Sequence, residues 1–433
     1  MRAATATAAV PTNPKGVLMP SMGDAADTRS IARDLAVETA REGDRILSFW
    51  ERRVVRPDGT VLGEVGGDGQ ERPEAAVSTV LMSRVLWTLA SASSVPRWDT
   101  PERRALARSV ARKFQTRFWD EAHGGFYWIV APDGGPEASH KHLYAQAFAI
   151  YALARHHRTD GDRDSLARAL ALYTQIEDRS ADPVHGGYRE AFAADWTPAA
   201  PGRSTPVSHG TPKTMNTHLH LLEAYAELYR ASPDTTLAKR LGDLFDLVVR
   251  RIVDPEGRRL RLFFTDGWDP TSAVISYGHD IEASWLLLDA AESLGDRDRV
   301  AAARRLGPRM AEAALTALDV DGGRMNEGNP EGITDRSKHW WPQAEALVGA
   351  VNAYQITGDL HYLRQAQNVW GFIRERLIDP AGGEWWEATD PGGNPITGRP
   401  KVSAWKCPYH NFRAMMEVSG RLGGDDRESA PSG

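Results

Sequence analysis

An all-α fold, an (α/α)6 barrel of twelve alternating outer and inner helices with short β-hairpins at one end, is what this 433-residue sequence predicts. One unit recurs six times: an Asp- and Gly-rich turn leading into a short apolar or aromatic strand. The turns begin at Asp58, Asp120, Asp182, Asp254, Asp319 and Asp379, a period of 60–72 residues. A repeat of that length describes an architecture rather than a local motif. The helical patterns on the two sides of each turn also differ in character, and that difference sorts them into two rings.

Ahead of the turns, the segments Arg103–Phe118, Ser165–Ile176, Leu237–Ile252, Val300–Leu318 and Tyr362–Leu377 are amphipathic and rich in Arg and Asp. Such a helix covers a core with one face. After the turns, Val80–Ala90, Leu143–Ala154, Leu219–Leu228, Ile281–Leu288 and Ala344–Tyr354 are apolar nearly all round, so they lie inside. The Gly-Gly pairs before Phe126, Tyr188 and Glu384 suit tight turns into small hairpins. Short connections make successive helices antiparallel. All six inner helices therefore start at the same end of the barrel, and the residues at those starts converge.

The barrel is expected to occupy residues 29–422 as a single domain. Residues 1–28, rich in Ala, Thr and Pro, lack the apolar core of a signal peptide and read as a disordered leader, with 423–433 as a disordered tail. At 41% hydrophobic and 25% charged residues the composition is that of an ordinary globular chain. The net charge of −6, with Arg and Lys scattered, points to no nucleic acid and no anionic membrane as partner. No stretch of 18 apolar residues is present to span a bilayer. Cys407, the single cysteine, excludes an intrachain disulfide and fits a reducing, cytoplasmic compartment. The expected assembly is a monomer or weak homodimer. Fourteen tryptophans suit aromatic platforms for sugar rings.

At the converging starts the chemistry is dense. The first inner helix carries Arg84 and the second Lys141-His142-Leu143-Tyr144. In the third, Asn216 and His220 stand four apart on one face, and in the fourth His279 and Glu282 stand three apart. The fifth opens Lys338-His339-Trp340-Trp341 and continues to Glu345, and the sixth opens Trp405-Lys406-Cys407-Pro408-Tyr409-His410. His218 reads as packing, and structural roles are favoured for His142 and Glu223. Three His and a Glu could hold zinc. Their spacing matches no zincin motif, and an arginine at the same mouth repels a cation, so no metal and no other cofactor is expected.

Histidines titrate near neutral pH, so two facing one substrate can take a proton from one side and return one from the other. Arg84 and a third His suit an oxyanion developing between them. This equipment fits abstraction of a proton α to a carbonyl, with an enediolate intermediate. An inverting glycosidase would need two carboxyl groups about 6.5–9.5 Å apart, one an acid of raised pKa. The convergent groups are mainly imidazoles, which favours proton transfer at carbon.

The segments SRVLWTLA, KHLYAQAF, MNTHLHLLEAYAELYR, SYGHDIEASWLLLDA, KHWWPQAEAL, GEWWE and WKCPYHNFRAMME resemble the N-acylglucosamine 2-epimerase superfamily, in order, over about residues 30 to 422. The resemblance implies the (α/α)6 barrel and a small-molecule sugar as partner. The implied reaction is reversible 2-epimerisation of the reducing-end glucose of a cellobiose-type β-1,4-linked disaccharide, without metal. It implies His279 and His410 as the acid/base pair, with Arg84, Asn216, His220 and Glu282 at the reacting end. Tyr144, Trp340, Trp341, Glu345, Trp385 and Trp405 are then expected to bind sugar. In the first unit Gly59-Thr60-Val61-Leu62 stands where the family has Gly-Gly-Phe-Tyr. An aldose–ketose isomerase, a monosaccharide or N-acylglucosamine 2-epimerase, and a sugar-binding protein without turnover are the alternative expectations.

Overall fold

The computed structural model describes residues 22–199 and 210–423. Six outer helices alternate along the chain with six inner ones. The outer set is α1 (Met22–Phe49), α3 (Pro101–Arg117), α5 (Arg163–Arg179), α7 (Thr235–Leu247), α9 (Arg297–Leu315) and α11 (Leu360–Phe372). The inner set is α2 (Thr79–Ala92), α4 (Leu143–Asp160), α6 (Met215–Ala231), α8 (Tyr277–Leu294), α10 (Trp340–Thr357) and α12 (Tyr409–Leu422).

Burial follows the two patterns. Every residue of α2 is buried, whereas α3 buries only Ala107, Val110, Ala111 and Phe114, one stripe at helical spacing. Among the described residues no helix is long and apolar enough to cross a membrane.

Three of the reversals from inner to outer helix are made by a Gly-Asp step. Gly161, Gly295 and Gly358 end α4, α8 and α10 at φ of 73°, 67° and 73°, the left-handed region that favours glycine. The following aspartate caps the next helix: Asp162 accepts from the Ser165 amide at 2.7 Å and Asp296 from the Arg299 amide at 3.0 Å.

At the other end a short strand leads into five of the inner helices and pairs antiparallel with the next unit. Val77–Ser78 meets Ile129–Val130, Lys141–His142 meets Ala191–Phe192, and Lys213–Thr214 meets Phe263–Phe264. Ile275–Ser276 meets Glu327–Gly328 and Lys338–His339 meets Ala388–Thr389. Val65 bridges Val402, so the last unit joins the first and the ring closes. Buried lysines tie these strands to the Asp turns. Lys141 donates to Asp120 at 2.8 Å, Lys213 to Asp182 at 2.7 Å and Lys338 to Asp321 at 2.6 Å. A buried ammonium without such a partner would be strongly destabilising.

Two expected boundaries change. Residues 1–21 of the expected leader lie outside the described residues, but 22–28 already belong to α1. Within this stretch Asp27 accepts from Arg364 of α11 at 3.1 Å. Of the expected tail, Gly423 is the C-cap of α12 and 424–433 lie outside the described residues.

A Cβ at Gly358 would meet no atom within 4 Å. Gly358→Ala therefore isolates the left-handed backbone, and we expect a loss of about 1–2 kcal/mol, read from the urea midpoint. An unchanged midpoint would show that the reversal does not depend on this conformation.

Candidate functional site

The starts of the inner helices surround a cleft of about 630 Å³, within the range of small-molecule sites. Ten of the twelve expected site residues line it. They are Arg84, Tyr144, Asn216, His220, His279, Glu282, Trp340, Trp341, Trp405 and His410. They arrive from all six inner helices and one connecting segment because each inner helix opens toward this end.

Three imidazoles face the cleft, and each is held from behind through Nδ1. His279 Nδ1 is 2.7 Å from the Ser276 hydroxyl, His220 Nδ1 is 3.0 Å from Glu223 Oε2, and His410 Nδ1 is 2.7 Å from Glu345 Oε1. In each ring Nε2 remains for a ligand. The Trp341 ring packs on both His279 and His410, with centroids 4.7 and 5.5 Å away, so the two imidazoles lie within about 10 Å of each other.

Arg84 donates to the Tyr144 hydroxyl at 2.8 Å, and its guanidinium lies over Phe148 at 4.2 Å and Tyr409 at 4.9 Å. Buried Arg84 Nε, Asn216 Oδ1, Glu282 Oε2 and Trp340 Nε1 have no hydrogen-bond partner among the described residues. Buried polar groups are satisfied as a rule. Four such atoms at one cleft fit a ligand that offers several hydroxyl or carbonyl groups.

Burial shapes the charges. It pushes the His279 pKa down to about 3, with the charge of His220 adding to the effect. His410 is held well below the ordinary histidine value by burial and by Arg84 and Arg413, and His220 is lowered by burial against the pull of Glu223. Burial and the neighbouring Glu345 carboxylate raise Glu282 to about 8. At neutral pH the cleft therefore holds neutral imidazoles beside an un-ionised carboxyl group.

Two expected sugar-binding residues sit elsewhere. Glu345 is fully buried behind His410, where it accepts from His410, Arg413 and the Trp285 indole. Trp385 is fully buried in the core and donates to Glu42 at 2.8 Å. Glu387, in the bend just before the strand Ala388–Thr389, is the member of the Trp-Trp-Glu run that reaches the cleft. His218 bonds the Tyr188 amide and the Thr214 carbonyl, as packing.

Sequence reasoning missed Ser276, Glu327, Glu387, Phe263 and Arg413. Ser276 and Glu387 lay at the edges of motifs, whereas Glu327 and Phe263 come from strands contributed by the following unit. Arg413 carried a signal comparable to that of Arg84, a lone guanidinium in a buried helix stretch.

Glu282, Glu345 and His410 offer ligand atoms within 4.8 Å of one another, a grouping that could suit a divalent ion. Arg413 Nη2 donates to Glu282 Oε1 and Glu345 Oε1, both at 2.7 Å, so a guanidinium already stands against the oxygens that a cation would need. The set does not fit a metal while that residue is in place.

The N-acylglucosamine 2-epimerase family model matches residues 62–414. A cellobiose 2-epimerase of Bacteroides fragilis is 38% identical over 378 residues, 87% of this chain and 96% of that protein. One of Dictyoglomus turgidum is 35% identical over 380 residues, 88% and 96% of the two chains. The solved structure of cellobiose 2-epimerase from Spirochaeta thermophila superposes with a TM-score of 0.82 at 36% identity, covering 92% of this chain and 98% of that one.

Trp385→Ala should cost about 3–5 kcal/mol of stability, as for a buried aromatic. Trp405→Ala, at the half-buried cleft wall, should instead keep the melting temperature near wild type and raise KM. Equal destabilisation of the two variants would contradict this separation of core from cleft.

Proposed function

The chain belongs to the N-acylglucosamine 2-epimerase family, and on that premise we propose that it reversibly epimerises C2 of the reducing-end glucose of cellobiose-type β-1,4-linked disaccharides, giving mannose there. The observation that carries this reading is the set of three imidazoles, each anchored at Nδ1 with Nε2 left for the substrate, beside four buried polar atoms that lack partners.

In the open-chain sugar the C1 carbonyl acidifies the C2 proton. One of His279 and His410 accepts that proton, and the C–H electron pair moves into the C1–C2 bond as the carbonyl becomes an enediolate oxygen. Arg84 and His220 stabilise the developing negative charge. The other imidazole, neutral in the empty cleft, takes up a solvent proton at Nε2 when the substrate binds and delivers it to the opposite face of the planar intermediate. The C1 carbonyl re-forms, leaving the first ring protonated and the second neutral. In the reverse direction the two exchange roles. Glu282, un-ionised at neutral pH, donates a hydrogen bond toward the sugar oxygens, and Asn216 accepts or donates another. Trp341 and Trp405 provide apolar platforms for the rings, with Trp340 and Tyr144 beside them.

His279→Asn and His410→Asn each keep size and hydrogen bonding but remove proton transfer, so each should lower kcat by about 10²–10⁴-fold. The double variant should fall short of the product of the two losses, because residues acting as a unit are non-additive. With cellobiose in heavy water, the mannose-ended product should carry deuterium at C2. Ketose as the main product, or near-normal turnover in either single variant, would overturn the reading.

The pH profile tests the electrostatics separately. The depressed histidine pKa values keep the base neutral as pH falls through 6.5, so the acid limb should lie below the ordinary histidine range. Ionisation of Glu282 should give an alkaline limb near pH 8. Glu282→Gln should lose that limb, and an unchanged limb in this variant would refute its assignment.

A further inference from the structure

Behind the cleft wall, on α12, lies a group that no step above uses. Arg413 is 1% exposed, with its guanidinium 4.7 Å from the Trp285 ring centroid and 4.2 Å from that of Tyr409. Its Nη2 donates to Glu282 Oε1 and to Glu345 Oε1, both at 2.7 Å. Its Nη1 bonds Glu223 Oε1, an oxygen that also accepts from the Tyr409 hydroxyl at 2.6 Å. Two of these three carboxylates are the groups that hold histidines of the cleft. Glu223 faces His220 Nδ1 at 3.0 Å, and Glu345 faces His410 Nδ1 at 2.7 Å.

We propose that Arg413 is a positioning residue that sets the tautomer and orientation of His220 and His410 together, by fixing the carboxylates of Glu223 and Glu345 between itself and the two rings. The proposal rests on the reading that these imidazoles carry the chemistry.

The physical argument runs through acceptor charge. An ionised carboxylate only accepts hydrogen bonds, so each Nδ1 facing one carries its hydrogen. Nε2 is then the basic nitrogen of the neutral ring, which is the atom available to the substrate. Were the carboxyl groups to take up protons, they could donate to Nδ1 instead and turn the rings' basic atom away from the cleft. Glu223 and Glu345, buried in one cluster, need a cation beside them to act as carboxylate acceptors. Arg413 supplies that cation, and its planar fork reaches Glu223 with one nitrogen while the other spans Glu282 and Glu345. A lysine at this place would keep the charge but not the fork, being a single point donor.

That difference separates positioning from mere neutralisation of charge. In full-length Arg413→Lys, kcat on cellobiose should fall about 10–100-fold, as for loss of a group that orients a functional histidine, with KM little changed. Long-range ¹H–¹⁵N spectra of the histidine-labelled, substrate-free protein give a second readout, with the two rings identified by His220→Asn and His410→Asn. Wild type should show the Nδ1–H tautomer at both rings, and Arg413→Lys a mixture at both. A folded Arg413→Lys protein with wild-type tautomers and kcat would overturn the proposal.

If Arg413→Lys does not fold, Glu345→Gln decides. The guanidinium released from Glu345 is then shared between Glu223 and Glu282, so the His220 signals should move together with those of His410. Movement of His410 alone would show that Arg413 does not link the rings. The spectra need no turnover, so they test this linkage even if normal activity of His279→Asn or His410→Asn were to sink the proposed mechanism.

Discussion

Burying a helix on every side leaves its polar side chains an outlet mainly at its ends. The six inner helices obey that constraint together. Their middles are largely apolar; Arg84, Tyr144, Asn216, His220, His279 and His410 gather at the cleft where the helices open, and Arg155, Glu227, Arg230 and Arg421 lie toward the opposite end. The short Gly-Asp reversals matter for the same reason: they allow only antiparallel neighbours, so every opening falls at one end.

The loop ring at that end is stabilised by pairings between successive units as well as within them. Each two-residue strand is too short to persist alone. It is held by its partner in the next unit, by the lysine–aspartate pairs beneath it and by the Val65–Val402 closure. The cleft wall is therefore a cooperative product of the whole ring. Side chains such as Phe263 and Glu327 reach it from the unit that follows the helix they stand beside.

Electrostatics inside the barrel rests on one arrangement. Arg413 lies among three buried acids, and two of these hold imidazoles of the cleft. The same grouping of acids and histidine that could suit a metal ion is thereby given over to a guanidinium. Low polarity around it depresses the histidines and raises Glu282.

Much of this was legible in the sequence. The six-fold period, the two helix characters and the clustering of Arg84, His220, His279 and His410 at helix starts were all local signals, and local patterning determines which face is buried and where a helix begins. What one helix presents depends on its own residues, so ten of the twelve expected site residues face the cleft. The exceptions depended on distant partners. Trp385 was assigned to the cleft by its neighbours in sequence, but packing against Glu42 of α1 drew it into the core. Glu345 lies one turn into its helix, and only the approach of α12 decided that it would meet His410 and Arg413 rather than the cleft. Sequence alone determined the repeat, the rings and the residues at the mouth. Tertiary structure decided which of those residues reach the cleft and which stand behind it, because that choice is made by side chains far apart in the sequence.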